Sequence, residues 1–315
     1  MIYTIKNDKL QVDILSFGAS ILSMKVFSNH EWHETTVQYE NLNDYKNKNT
    51  YYLNSIIGPH SGRIKDGKYK INDTVVTLDT NDRGNHLHGS STGFHTLDFK
   101  LKQQSDHQLV LFTKDENNSC DITVAFGINE TSLNIEYDVH TYIDQVMNMT
   151  QHTYFNLSGE DTIKDHEILV PADTVCFLDA SGAPEKLVDV EGAFDLRIKT
   201  LLKNKMLLDD AQFEITDNID HPFLIEDGHV LLESKKTNLG VSISSSAPYV
   251  VVYTGNYLLS ENEFKNLGPS KKHQAVAIEP QSLPNDVNLG LGRQQVVRAN
   301  EKYNHKITYK FYELT

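Results

Sequence analysis

A chain of 315 residues is long enough to bury a large core, and one big sandwich or barrel accounts for it as a single domain over 1–315. Asp and Glu number 43 against 29 Lys and Arg, a formal charge of -14, which sets the surface against nucleic acid, polyphosphate and anionic membranes unless a local basic patch reverses it. Lys235-Lys236 and Lys271-Lys272 are isolated pairs and make no such patch.

In chain order the dominant period is two. Leu10–Ile14 alternates apolar and polar side chains, the pattern of a half-buried strand. The stretch from Asn29 to Asn49, with scattered Asn, Tyr and charged residues, reads as an exposed excursion. Gly58-Pro59-His60-Ser61-Gly62-Arg63-Ile64 follows the apolar pair Ile56-Ile57 and sets a guanidinium beside a glycine. That setting favours a fixed fork donor spanning adjacent hydroxyls over a free surface charge. Lys65-Asp66-Gly67 and Ile71-Asn72-Asp73 are turns. Asn85-His86-Leu87-His88-Gly89 places His86 and His88 on one strand face. Two imidazoles without a third ligand make a weak case for a metal. Gly89 lets the backbone approach a ligand closely and favours His88 as a substrate-facing donor.

Gln108–Phe112, Ile122–Phe126 and Leu133–Val139 continue the strand pattern, with a turn at Asp115-Glu116-Asn117-Asn118. Asn148–Leu157 is the most telling stretch. On an extended chain His152 shares a face with Thr150 and Tyr154, while Gln151, Thr153 and Phe155 point the other way. A face of hydroxyls and imidazole is costly to bury dry, and a wet, specific cleft removes that cost. Histidine also exchanges a proton near neutrality.

Thr200–Lys205 and Glu261–Asn266 are the helical candidates, each a turn or two. Asp220, in Asn218-Ile219-Asp220-His221-Pro222-Phe223, either caps a turn or accepts hydrogen bonds from two hydroxyls. Ala275–Ile278 reads as a buried strand that delivers Glu279, and Pro280 keeps Glu279 extended. Gln281 and Asn288 supply groups that would orient the carboxylate. Ile307–Phe311 closes the pattern. Many short strands, polar turns and no βαβ alternation predict an all-β fold of large packed antiparallel sheets. Cys120 and Cys176 make neither a disulfide framework nor a metal knuckle. With no basic, apolar leader in the first six residues and no apolar run of about 18, the expectation is a cytoplasmic protein without a membrane span. His152 and Glu279 together suggest a split acid–base pair in an aromatic-lined cleft, and hence an enzyme acting on a carbohydrate.

The quoted motifs, in this order and over essentially the whole chain, resemble the aldose 1-epimerase (galactose mutarotase) family. The resemblance rests on the arginine motif at 58–64, Asn85–Gly89, Thr150–Gly159, Asp220–Phe223, and Glu279-Pro280-Gln281 with Pro284 and Asn288. It implies a large antiparallel supersandwich and interconversion of the anomers of a free aldohexose. It also implies no cofactor or metal, and a monomer or homodimer whose partner is a small free sugar. The roles it implies are His152 as acid, Glu279 as base, and Arg63, His88 and Asp220 as the grip on the sugar. Pro59, Gly62, Ser90 and Asn285 depart from the usual galactose enzymes beside these residues, so an epimerase for another or modified sugar stays open. A phosphosugar is disfavoured by the net charge and the lack of a second arginine among the motifs. A carbohydrate-binding module or a glycoside hydrolase using Asp220 and Glu279 are the other classes.

Overall fold

The computed structural model describes residues 1–226, 228–259, 261–291 and 296–314. Three antiparallel sheets carry the chain. The longest has nine strands, in the spatial order Lys100–Gln104, Gln108–Asp115, Cys120–Asn129, Ser132–Thr141, Lys302–Glu313, Leu239–Ser245, Val230–Ser234, Glu167–Leu169 and Thr200–Leu201. A six-stranded sheet runs Tyr154–Phe155, Val276–Gln281, Tyr249–Tyr253, Asp220–Leu224, Thr174–Leu178 and Pro184–Asp189. Four N-terminal strands between Ile2 and Glu34 form the third.

Period-two alternation builds the core. Lys302–Glu313 turns Tyr303, His305, Ile307, Tyr309 and Phe311 inward and leaves the residues between them half-buried or exposed. One continuous apolar cluster draws Val12 and Ile14 from the N-terminal sheet, Val124 and Ile135 from the nine-stranded sheet, and Val252 and Ile278 from the six-stranded sheet. Burial on this scale stabilises at about 25 cal/mol per Å2 of apolar surface and fixes the sheets against each other. The strands read at Leu10–Ile14, Gln108–Phe112, Ile122–Phe126, Leu133–Val139 and Ile307–Phe311 are present, and the all-β architecture stands.

Three local expectations are corrected. Glu261–Asn266 is not helical: Glu263–Phe264 pairs with Gly268–Pro269 as a tight hairpin, because Phe264 is pulled into an aromatic cluster with Tyr39 and Tyr51. The stretch from Asn29 to Asn49 is no loose excursion. It buries Val37, Tyr39 and Tyr45 in a second core that also holds Tyr154 and Tyr253. Thr200-Leu201 ends the long sheet as an edge strand, and the helix starts only at Leu202, running to Met206.

Candidate active site

The cleft is built on one face of the six-stranded sheet. Register places Glu279 opposite Val251, Gln281 opposite Tyr249, Val251 opposite Pro222, and Tyr253 opposite Asp220. Because neighbours along a strand point to opposite faces, Ile278 enters the core while Glu279 and Gln281 enter the cleft. Asp220 and Pro222 reach the same cleft from the next strand but one.

His152 arrives differently. Thr150–Gln151 pairs with Ile56–Ile57, and Tyr154–Phe155 pairs with Val276 and Ala277. The chain therefore changes sheets at His152 and Thr153, so the continuous strand expected here is interrupted. The backbone of His152 is clamped by a corner of the loop before Ile56. Its N–H donates to the Ser55 carbonyl at 3.0 Å, and its carbonyl accepts from the Asn54 N–H at 3.0 Å. The ring stacks on Tyr154 at 4.8 Å, with Tyr52 stacked at 6.2 Å and His88 edge-on at 5.4 Å.

The imidazole and carboxyl meet: His152 Nε2 lies 3.4 Å from Glu279 Oε1, and both side chains are almost fully buried. Burial pushes the His152 pKa down to about 3. It pushes the Glu279 pKa well above the ordinary carboxyl range, with Asp220 adding to the rise and Arg63 opposing it. Both shifts come chiefly from lost solvation, which disfavours charge on either group. With charge disfavoured on both groups, the empty cleft favours the neutral arrangement of the pair, with the proton on the carboxyl. A proton crossing to the imidazole makes an ion pair with the same proton count. Glu279 Oε2, Gln281 Oε1 and His152 Nδ1 are buried without a hydrogen-bond partner within the protein, and all three residues line the cleft, where a ligand or water can supply one.

The sugar-gripping candidates converge on the same cleft of about 620 Å3. Arg63 donates from Nε to Asp82 Oδ2 at 2.6 Å, and its Nη1 is 3.9 Å from Asp220 Oδ2. Burial raises the Asp220 pKa, and Arg63 opposes that rise. His88 adopts a left-handed backbone, φ 54, which turns its ring into the cleft. His86 goes the other way, edge-on to His60 at 5.1 Å, so the two histidines do not share a face.

Gly62 N–H donates to His88 Nδ1 at 3.1 Å. That bond needs a lone pair on Nδ1, so the neutral ring carries its proton on Nε2 and is a donor. Among the described residues, His88, His152 and Glu279 form the group dense enough to suggest a metal site. With Nδ1 of His88 engaged and Nε2 protonated, that ring has no lone pair to give, and the donor set does not fit a cation.

Asn288 does not orient Glu279; its amide donates to the Lys68 carbonyl and to Asn285 Oδ1. Sequence reasoning also passed over Asp82, Tyr52, Tyr257 and Arg83, all of which line the cleft. Arg83 corrects the expectation of no second arginine, yet it is engaged: Nη1 donates to the Ile215 carbonyl, and Nε is 3.6 Å from Asp82. Asn81-Asp82-Arg83-Gly84 has the composition of a plain turn, and nothing in it announces a binding residue. Gly62 is explained by its surroundings. It has φ +71, and a Cβ there would sit 2.4 Å from the Pro284 ring.

An antiparallel supersandwich that sets an imidazole against a carboxyl, in a cleft lined also by a guanidinium, a second imidazole and an aspartate, fits a class: acid–base isomerases of small polyhydroxylated molecules. The chain belongs to the aldose 1-epimerase family, whose description matches residues 1–310. A galactose mutarotase from Mus musculus is 27% identical over 324 residues, covering 98% of this chain and 93% of the relative. An aldose 1-epimerase from Escherichia coli K12 is 26% identical over 330 residues, covering 98% and 94%. Among solved structures, an aldose epimerase homologue from C. elegans superimposes with a TM-score of 0.91 at 21% identity, covering 100% and 99%. A galactose 1-epimerase from Lactobacillus acidophilus gives 0.85 at 24% identity, covering 99% and 94%.

Proposed function

We propose that this protein interconverts the α and β anomers of a free aldohexose, with His152 and Glu279 as the proton-transfer pair and Arg63, His88 and Asp220 holding the ring. The observation that carries the reading is the 3.4 Å approach of His152 Nε2 to Glu279 Oε1 at the floor of a hydroxyl-binding cleft. A carbohydrate-binding module has no use for a buried imidazole–carboxyl pair.

In the ionised form of the pair, Glu279 takes the proton from the hydroxyl on C1 and His152 gives its proton to the ring oxygen. The bond from C1 to the ring oxygen breaks, and a carbonyl forms at C1. Rotation about C1–C2 presents the other carbonyl face. His152 then removes the proton from the chain hydroxyl while Glu279 returns one to the carbonyl oxygen, and the ring closes as the opposite anomer. Ring opening turns an ion pair into a neutral pair, the direction a dry site favours. The ionised form is supported by Arg63, which draws the Glu279 pKa downward. His88 Nε2–H, the Arg63 guanidinium and the Asp220 carboxylate grip hydroxyls that do not react, so only C1 has to swing.

Polarimetry tests this. The protein is expected to accelerate the decay of optical rotation of freshly dissolved α-galactose or α-glucose. Glu279→Gln and His152→Gln are each expected to lower that rate by roughly 10²–10⁴-fold with the fold retained. Wild-type-like rates in both variants contradict the assignment. A survey of free and modified aldoses identifies the preferred sugar.

A further inference from the structure

The strand that delivers Glu279 loses a neighbour just where the carboxylate sits. On one side it pairs with Tyr249–Tyr253 throughout. On the other, Tyr154–Phe155 pairs only with Val276 and Ala277, so among the described residues no strand is laddered to that edge beside Glu279 and Pro280. A strand edge without a ladder is free to shift, and a general base has to be held closely.

The bonds that replace the ladder come from side chains behind the cleft. Asn148 Oδ1 accepts from the Ser282 N–H at 2.8 Å, and its Nδ2 donates to the Ser282 carbonyl at 3.0 Å. His305 crosses the core from the nine-stranded sheet, with only 2% of its surface exposed, and its Nε2 is 3.2 Å from the Pro280 carbonyl. The strand that bears it also braces the other catalytic segment. Tyr303 Oη accepts from the Met149 N–H, and Tyr309 Oη lies 3.1 Å from Thr153 Oγ1.

The proton positions in this contact follow from its partners. A carbonyl oxygen only accepts, so His305 Nε2 carries the hydrogen and donates to Pro280. Ser246 Oγ already accepts from the Lys306 N–H at 3.0 Å, leaving its own hydrogen for His305 Nδ1 at 2.9 Å. The hydroxyl of Ser246, itself on an exposed loop, therefore selects the Nε2–H tautomer that the Pro280 carbonyl requires. Tyr137 stacks on the imidazole at 5.7 Å and 14° and fixes its plane.

We infer that His305 is a positioning residue for Glu279: through the Pro280 carbonyl it holds the unladdered end of the glutamate strand, and Ser246 sets its tautomer from the surface. The inference rests on the proposed acid–base role of Glu279. It predicts a graded set of variants. His305→Met keeps bulk but removes both polar contacts. It is expected to lower kcat between about tenfold and a hundredfold, the scale of a misplaced catalytic group, with KM within about twofold. His305→Gln restores a donor toward the Pro280 carbonyl and is expected to recover most of kcat at a similar melting temperature. Ser246→Ala is expected to cause a smaller loss, because water can replace an exposed hydroxyl.

Equal kcat in the Met and Gln variants, or kcat loss that only follows lost folded protein, overturns the inference. A wild type that accelerates no aldose overturns the proposed function instead. The inference is then read without substrate, from the 13C titration of the Glu279 carboxyl, assigned by its disappearance in Glu279→Gln. The groups facing that carboxyl are His152, Asp220, Arg63, Tyr154 and Tyr309, and none of them changes across the His305 series. A titration displaced in His305→Met and restored in His305→Gln supports the positioning role; an identical midpoint in all three proteins refutes it.

Discussion

The two halves of the proton-transfer pair are held by opposite means. Glu279 stands in a regular strand, its direction set by alternation and by a register shared with Tyr249–Tyr253. His152 stands where the chain leaves one sheet for another, and its direction is set by a corner of irregular backbone at Tyr52, Asn54 and Ser55. Regular structure gives Glu279 its position at little conformational cost. The corner asks for two residues in left-handed backbone, Tyr52 at φ 53 and Asn54 at φ 53, each costing of order 1–3 kcal/mol. The surroundings offset that strain by using every polar group of the corner, so the His152 half is the more fragile.

Breaking that corner is the largest test. Asn54 Oδ1 accepts from the Tyr154 N–H, its Nδ2 donates to the Val37 carbonyl, and its backbone carbonyl accepts from Ile21 N–H and Gln151 Nε2. Asn54→Ala leaves a buried N–H and a buried carbonyl unpaired and is expected to cost about 2–4 kcal/mol, read by urea unfolding. It is also expected to lower kcat, because the same corner sets His152. An unchanged stability would show that the corner is not what holds the imidazole.

Acid sharpens the comparison next. Burial holds His60, His152 and His221 at pKa values of about 3, His95, His166 and His305 at about 4, and His88 well below its ordinary value. In the unfolded chain each would titrate near about 6.5. Below that pH the unfolded state binds more protons, so stability contributed by these rings is complete above pH ~6.5 and is lost as pH falls through their folded values. Asp220 and Glu279, with raised pKa values, act in the opposite direction, but seven imidazoles outweigh two carboxyls. The melting temperature is expected to fall steadily from pH 6.5 to pH 4.5 in a calorimetric series. Activity in the surviving folded protein is expected to be flat across that range, since burial holds the His152 imidazole at a pKa of about 3, below it. A rate that falls in step with a pKa near 6.5 would contradict the depressed imidazole.

The smallest expected effect lies at the rim. Gly62→Ala adds a methyl that meets Pro284 in a backbone conformation of φ +71. It is expected to cost about 1–3 kcal/mol and to raise KM more than it lowers kcat, because Gly62 N–H holds His88, a proposed sugar-binding ring, rather than the His152–Glu279 pair. Steady-state polarimetry separates the two constants.

The amino-acid sequence was most legible where structure is regular. Period-two alternation located the strands, and Glu279 was readable because an apolar run and a proline bracket it. His88 does line the cleft, but Gly89 beside it packs against the Gly58 carbonyl and Gly93, not against the cleft. The divergence of His88 from His86 was not readable, since alternation assumes extended backbone and His88 is left-handed. The sheet change at His152 was hidden for a related reason: a local pattern records which residues are buried, not which sheet buries them. Asp82 and Arg83 sit in a turn of ordinary composition, and only the folded chain brings them beside Arg63. Glu261–Asn266 misled because helix propensity in so short a segment is overridden by burying one aromatic ring.

The contact between Gly62 and Pro284 links two motifs more than 200 positions apart into one piece of cleft wall. A side chain at position 62 meets residue 284 before it meets anything else in the wall. The two positions are therefore expected to act jointly on sugar choice, so that libraries varying them together reach cleft shapes that neither single replacement reaches.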